Sequence, residues 1–368
     1  MATRANTLAQ AFSNKVLKEM YDRSLTDFIV NREYEGEING VGSKLNMMNL
    51  NRLSEKDYAG SALSADDLTE NNSVLTIEKQ KSFYWKEKSL DNWKSYIKDP
   101  HAPVVEQASS ERNRNMDIYV LGFEGDVAAG NRVGTDYTTG TVGVAATTGV
   151  VTGSGTTFVS GMVGKGFKAT GHTKWYRIKT FTSVTSITIE DDYDDITSAY
   201  TGGVIATGTA YTIESNTAVA ITTSNLLQKF LDLKLKLDKA QENGFSAVPV
   251  SGRWAIVPPE FSNVLMRASG IALHVPEFYS ALKDKGYLGQ LVGFDIFTSN
   301  DLAGDNTDGY KILGGHKNWM TFAEKVLNAR MEEDLIGDFG VAYKDLFVYG
   351  AKIPDVRRSQ AASMLATF

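Results

Sequence analysis

At 368 residues the chain is too long for one simple domain, and roughly 150 residues per domain makes two or three units the expectation. Apolar residues at 42% and charged residues at 22% match soluble globular chains, which excludes disordered, collagenous and coiled-coil classes. A net charge of −6 offers no whole-molecule basic footprint for nucleic acid. The absence of Cys excludes disulfide scaffolds, thiolate zinc sites, iron–sulfur clusters and Cys nucleophiles.

Met1 to Gln10 lacks the apolar run of a signal peptide, and no stretch reaches the roughly 18 consecutive apolar residues of a membrane span. A soluble protein made and used in the cytoplasm, with no membrane partner, is expected. Thr7 and Gln10 fit a capping box, and Leu8, Phe12, Val16 and Met20 recur every four residues. They predict an N-terminal helix whose apolar face has little nearby in sequence to cover it. After a polar, Asp-rich loop over Gly60 to Asn72, Leu75, Ile77, Lys79, Lys81, Phe83 and Trp85 alternate with Thr76, Glu78, Gln80, Ser82 and Tyr84. Period two with charge on both faces predicts a long hairpin ribbon over about Ser73 to Lys88 that cannot be a buried central strand. From Pro100 to Gly125, Val105, Ala108, Met116, Tyr119 and Leu121 mix with Glu106, Glu111, Arg112 and Arg114, predicting a long helix polar over much of its surface.

A composition break follows. Between Asp136 and Asn216 there is no Leu and no Pro, while Gly, Thr, Val and Ser dominate. β-Branched runs broken by Gly suit short strands and tight turns, so this segment reads as a small all-β module. Trp175 to Ile178, Ser186 to Ile189 and Ala210 to Ile213 are its clearest strands, with Asp191 to Asp195 as a turn. Beyond it, Thr223 or Ser224 is placed to cap a helix carrying Leu226, Phe230, Leu233, Leu237 and Ala240, closed by Gly244. A strand at Trp254 to Val257, a helix opened by Pro259, and strands at Leu291 to Phe297, Tyr310 to Leu313 and Leu346 to Ile353 make this half mixed α/β or α+β.

Chemistry-bearing motifs are missing. His101, His172, His274 and His316 form no close pair, and Asp191 to Asp195 lacks the Gly and terminal Glu of a helix-loop-helix calcium loop. Gly161 to Gly166 fails as a phosphate loop, having no Gly five residues before Gly164 and no Ser or Thr after Lys165. No Gly-x-Ser-x-Gly elbow occurs. No catalytic, cofactor or metal residues are assigned, and no enzyme is expected.

Several stretches taken in order resemble the major capsid proteins of tailed bacteriophages, with the Hong Kong 97-type fold, in the branch that carries an inserted β domain. They are Thr7 to Leu25, Lys81-Ser82-Phe83-Tyr84-Trp85, Leu121-Gly122-Phe123, Gly252 to Phe261, Gly293 to Asn300, Gly314-Gly315-His316-Lys317 and Val348 to Lys352. The family pattern would run Gly130 to Asp136 almost directly into Thr217 to Thr222, and the roughly 80 residues between coincide with the composition break. The resemblance implies an α+β capsid fold in four parts: an N-terminal arm (1–35), an extended loop and peripheral domain with its spine helix (36–136), an inserted all-β domain (137–216), and an axial domain returning to the peripheral one (217–368). It implies no cofactor and, as partners, many copies of itself as hexamers and pentamers. It further implies a scaffolding protein, a portal and double-stranded DNA enclosed without sequence-specific binding, in a virion head shell assembled in the host cytoplasm.

On this reading the charged ribbon is the extended loop, and Lys79, Lys81, Trp85, Lys86, Glu87 and Lys88 meet an adjacent copy, as do Phe12 and Val16 of the N-terminal strap. The inserted module either supports subunit folding and contacts between capsomers or projects outward toward glycans. Two alternatives stay open: an encapsulin-like cargo compartment, which shares the fold without needing the module, and a β-rich carbohydrate-binding surface protein. A genome neighbourhood with terminase and portal genes separates the first alternative from a phage capsid.

Overall fold

A computed structural model describes residues 24–37, 44–50, 55, 57, 70–88, 101–145, 148–191, 199–242, 245–246, 248–268, 287–332 and 339–368. A short helix α1 (Thr26–Ile29) is followed by a ribbon of β1 (Lys44–Leu50) and β2 (Glu70–Thr76), then β3 (Lys79–Lys88) and a long helix α2 (His101–Leu121). After β4 (Arg132–Val133) come eight strands, β5 (Thr135–Tyr137), β6 (Thr141–Val144), β7 (Val150–Ser154), β8 (Gly166–Ala169), β9 (Tyr176–Ser183), β10 (Ser186–Asp191), β11 (Ile205–Thr209) and β12 (Tyr211–Thr217). The remainder runs β13 (Val219–Ala220), helix α3 (Leu226–Lys239), β14 (Gln241–Glu242), β15 (Phe245–Ser246), β16 (Arg253–Val257) and helix α4 (Pro259–Arg267). It ends with β17 (Tyr287–Leu291), β18 (Phe294–Thr298), β19 (Tyr310–His316), β20 (Thr321–Glu332), β21 (Gly340–Lys352) and β22 (Ala361–Thr367).

A seven-stranded sheet, β13-β22-β19-β16-β18-β17 with β4 beside β22, is covered on both faces. Strand parity sends alternate side chains to different cores. Trp254, Ile256, Phe297, Leu313 and Ala361 pack with Met116, Val120 and Leu121 of α2 and with Trp319, Phe322, Phe347 and Tyr349. Ala255, Val257, Ile296, Ile312, Ala362 and Met364 pack instead with Leu226, Phe230, Leu233 and Leu237 of α3 and Phe261 and Leu265 of α4. The buried residues of α3 are those its sequence spacing predicts. Its N-cap is Asn225, not Thr223 or Ser224, and the Asn225 side chain makes no cap bond. It accepts from the Thr222 N–H and donates to the Ala220 carbonyl, shaping the turn before the helix. The segment 291–297 is a hairpin rather than one strand, because Val292 (φ 54°) and Gly293 (φ 84°) form a two-residue turn with both φ positive. The N-terminal helix, Gly244 and Asp192 to Asp195 lie outside the described residues.

The first core is tied to residues 24–30 by one carboxylate. Asp117 on α2, buried, accepts from the Leu25 and Thr26 N–H groups and from the Ser24 and Thr26 hydroxyls. Burial pushes its carboxyl above the ordinary range, and the bonds from Thr26, Leu25 and Ser24 act against that rise.

Strands β5–β12 form a separate eight-stranded sheet, in the order β11-β6-β7-β10-β9-β8-β12-β5, around Val151, Phe158, Phe167, Tyr176, Ile187 and Tyr211. Its seam with the rest of the chain is a buried ion pair. Arg132 on β4 donates to Glu214 of β12 at 3.1 Å and to the Gly164, Gly125 and Val127 carbonyls. Glu214 also accepts from the Gly130 and Gly166 N–H groups. Burial pushes the Glu214 carboxyl up, opposed chiefly by the Arg132 charge, and burial pushes the nearby Lys165 ammonium down. Gly130 sits at φ +93° with the Trp175 indole packed so close that a Cβ would lie 2.7 Å from its Nε1, so no larger residue fits.

Removing one partner of a buried pair strands the other charge. Arg132→Met or Glu214→Leu alone is expected to destabilise the unassembled subunit by about 3–5 kcal/mol, and the double variant by less than the sum. Urea unfolding of the four proteins measures this, and strictly additive losses would show that the residues do not act as a pair.

Candidate assembly surfaces

The charged segment expected to be one ribbon is two structures. Residues 70–76 pair with 44–50 as a two-stranded ribbon, whereas Lys79–Lys88 joins the three-stranded sheet β20-β21-β3. Its partner is β21, in register from Lys79 opposite Tyr349 to Lys88 opposite Gly340. The sheet has the longer strand ready to pair, so hydrogen bonding within the subunit claims β3. Charge on both faces is tolerated because β3 lies at the sheet edge.

The predicted contact residues are therefore distributed as follows. Trp85 is half-buried and stacks on Tyr343 of its own chain at 5.1 Å, beside Phe83 stacked on Phe347 at 5.9 Å. Lys79 sits over the Tyr119 ring of α2, 5.6 Å from its centroid. Lys81, Lys86 and Lys88 are exposed and Glu87 is half-buried. Phe12 and Val16 lie outside the described residues. Between α2 and the sheet runs a groove of about 500 Å³, lined by Val105, Ala108, Arg112, Phe83, Trp85 and Tyr343, with the Arg112 guanidinium over Phe347. None of this groove is announced by sequence, since its two walls come from segments joined only by the tertiary fold.

The ribbon has two unlike faces. Met47 and Leu75 are buried against Ala323 and Val348 of the three-stranded sheet, while Met48 and Val74 face solvent, Met48 at 68% exposure. Period two explains the split. Sequence reading missed β1, whose Asn-rich stretch Lys44–Leu50 carries a weak alternation.

Among the described residues, no group of three or more His, Asp or Glu side chains is placed to hold a metal ion. Among the described residues, no helix is long and apolar enough to cross a membrane. His316 accepts from the Asn318 N–H at a turn, and burial and the Arg253 charge push its imidazole down.

Trp85→Ala should lower the stability of the unassembled subunit by about 2–3 kcal/mol, somewhat under the ~3–5 of a fully buried aromatic, whereas Lys81→Ala should stay within about 0.5. Urea unfolding checks both. An unassembled subunit indifferent to Trp85→Ala would mean the indole gains its packing only from a neighbour.

Comparison with known proteins gives a consistent result. The sequence profile of the family described as phage capsid protein matches residues 173–361, just over half of the chain. No curated protein matches the sequence. Among solved structures, a chain of Mycobacterium phage Che8 aligns over 98% of this chain and 98% of its own, at 17% identity and a TM-score of 0.59. The capsid of Ralstonia phage GP4 aligns over 100% and 98%, at 10% identity and 0.55. The mature capsid of bacteriophage PhiM1 aligns over 98% and 92%, at 12% and 0.54. At such identities the likeness is one of fold, and the α+β architecture is shared along nearly the full length.

Proposed function

The chain belongs to the phage capsid protein family as a major capsid protein of the head shell, and from that premise we propose how its parts serve assembly. Many copies associate as hexamers and pentamers into a closed Hong Kong 97-type shell, guided in the host cytoplasm by a scaffolding protein and a portal. Its role is structural, with no catalytic step. The shell encloses double-stranded DNA without sequence-specific contacts, and the net charge of −6 suits a wall that contains DNA over one that grips it. Residues 137–216 form an inserted domain on that fold. Its own eight-stranded sheet and its buried link through Glu214 support a role in holding the subunit together.

The observation that carries the assembly reading is the ribbon. A two-stranded ribbon alone is marginal in water. Here one face is rooted on its own subunit and the other presents Met48 and Val74 to solvent, as expected of a strap completed by an adjacent copy. The exposed cations of β3, Lys79, Lys81, Lys86 and Lys88, would meet acidic surface on that copy. Phe12 and Val16 would form a second strap.

Deleting the whole stretch 63–88 would remove a body strand, so the informative change is narrower. Replacing Met48 and Val74 together by Thr removes the outward apolar face while leaving the pairing of β1, β2 and β3 intact. The altered subunit should melt as the unaltered one does, while the yield of closed shells, counted by electron microscopy, falls by about tenfold or more because each lost contact recurs in every copy. Normal shells from this variant would refute the strap.

A further inference from the structure

Helix α3 carries leucine on two sides. Leu226, Phe230, Leu233 and Leu237 are buried against the seven-stranded sheet. Leu227, Leu231 and Leu235 are not: they stand 42%, 41% and 48% exposed at i, i+4 and i+8, forming one continuous row along the helix. A single exposed leucine means little, but such a row is the ridge by which helices seat in grooves of other helices.

The surroundings restrict what can cover it. Asp232 is held by Lys229 at 3.2 Å and by Gln228 at 3.1 Å, and Asp238 is held by Lys234 and by Arg253. Helix α3 carries Lys229, Lys234, Lys236 and Lys239 against Asp232 and Asp238, so the ridge offers no acidic surface to a basic segment, and its small positive excess suits a partner of net negative charge, as a copy of this chain at −6 is. Three half-exposed leucines also fall far short of the roughly 800 Å² per partner that a stable one-to-one complex buries. Such a contact is effective where symmetry repeats it. The same half of the chain exposes Met266 at the end of α4, at 83%, and Val250, at 66%, so a copy of this chain carries apolar surface to offer in return.

We propose that the Leu227–Leu231–Leu235 ridge of α3 is a contact surface for a second copy of this chain, buried when subunits ring together. This rests on the assembly reading above and adds to it the face through which the helix-bearing side of the subunit meets its neighbour.

The chain has no Cys, so one substitution introduces a unique thiol. Leu231→Cys, with Thr185→Cys on the exposed β9–β10 turn as the access control, is treated with a maleimide as free subunit and as shell. Relative to the control, labelling at position 231 should slow by about tenfold on assembly, as expected for a side chain passing into an interface core. An unchanged ratio overturns the proposal, as does equal protection of the free subunit by a different protein when no shell forms. Independently, Leu227→Gln combined with Leu235→Gln should leave the melting midpoint of the free subunit unchanged and lower shell yield by about tenfold. Unaltered yield overturns the contact alone, while failure of the unsubstituted chain to form shells under any condition removes the assembly reading and this inference with it.

Discussion

The central constraint is that one seven-stranded sheet must be buried on both faces. Successive side chains of β16 go to opposite cores: Trp254 and Ile256 to one, Ala255 and Val257 to the other. Strands with that demand cannot stand at a surface, so each face recruits its own cover. One face draws α2, residues 24–30 and the three-stranded sheet, and the other draws α3 and α4. The ribbon root and the leucine ridge occupy the outer sides of those covering layers, and the groove runs between two of them. Their positions follow from which cover packs where.

The β-rich segment 135–217 joins this body through a buried ion pair. Arg132 comes from one side and Glu214 from the other, and nearly all of their polar atoms are satisfied by backbone groups of both. Such a pair contributes little net stability over a well-packed apolar substitute, yet it tolerates only one relative placement of the two parts. Gly130 sharpens that demand by admitting Trp175 where a side chain would block it. The seam therefore specifies orientation, which a shell subunit requires if every copy is to present the same outline.

Charge and apolar surface divide the assembly problem differently from what composition suggests. The two aspartates of α3 are paired within the subunit, while leucine, methionine and valine remain exposed on α3, α4 and the ribbon. Apolar contact is non-directional and adds with area, whereas charge pattern selects among partners. An apolar ridge suits repeated identical contacts, and the lysines beside it on α3 and those on β3 give the surface its sign.

Local pattern was enough to identify α3, the α2 helix, the Pro259-initiated helix and three of the eight strands of the β-rich segment, because each follows a 3.6- or 2-residue period or a Gly-marked turn within a few residues. The resemblance to capsid proteins was likewise legible in short ordered motifs. Pairing was not. Thr321–Glu332 is rich in Ala, Glu, Lys, Leu, Arg and Met, good helix formers, and becomes a strand because Gly340–Lys352 supplies eleven register partners. Lys79–Lys88 alternates like a free ribbon, and only the presence of β21 alongside draws it into the body, taking Trp85 with it. The Arg132–Glu214 pair spans 82 residues and the groove unites distant segments, so neither has a local signature. The amino-acid order by itself determined which segments could be helix or strand and where the β-rich segment begins and ends in composition. Tertiary structure decided which strands found each other and which apolar faces stayed outside, since those outcomes depend on long-range competition for partners that no short window contains.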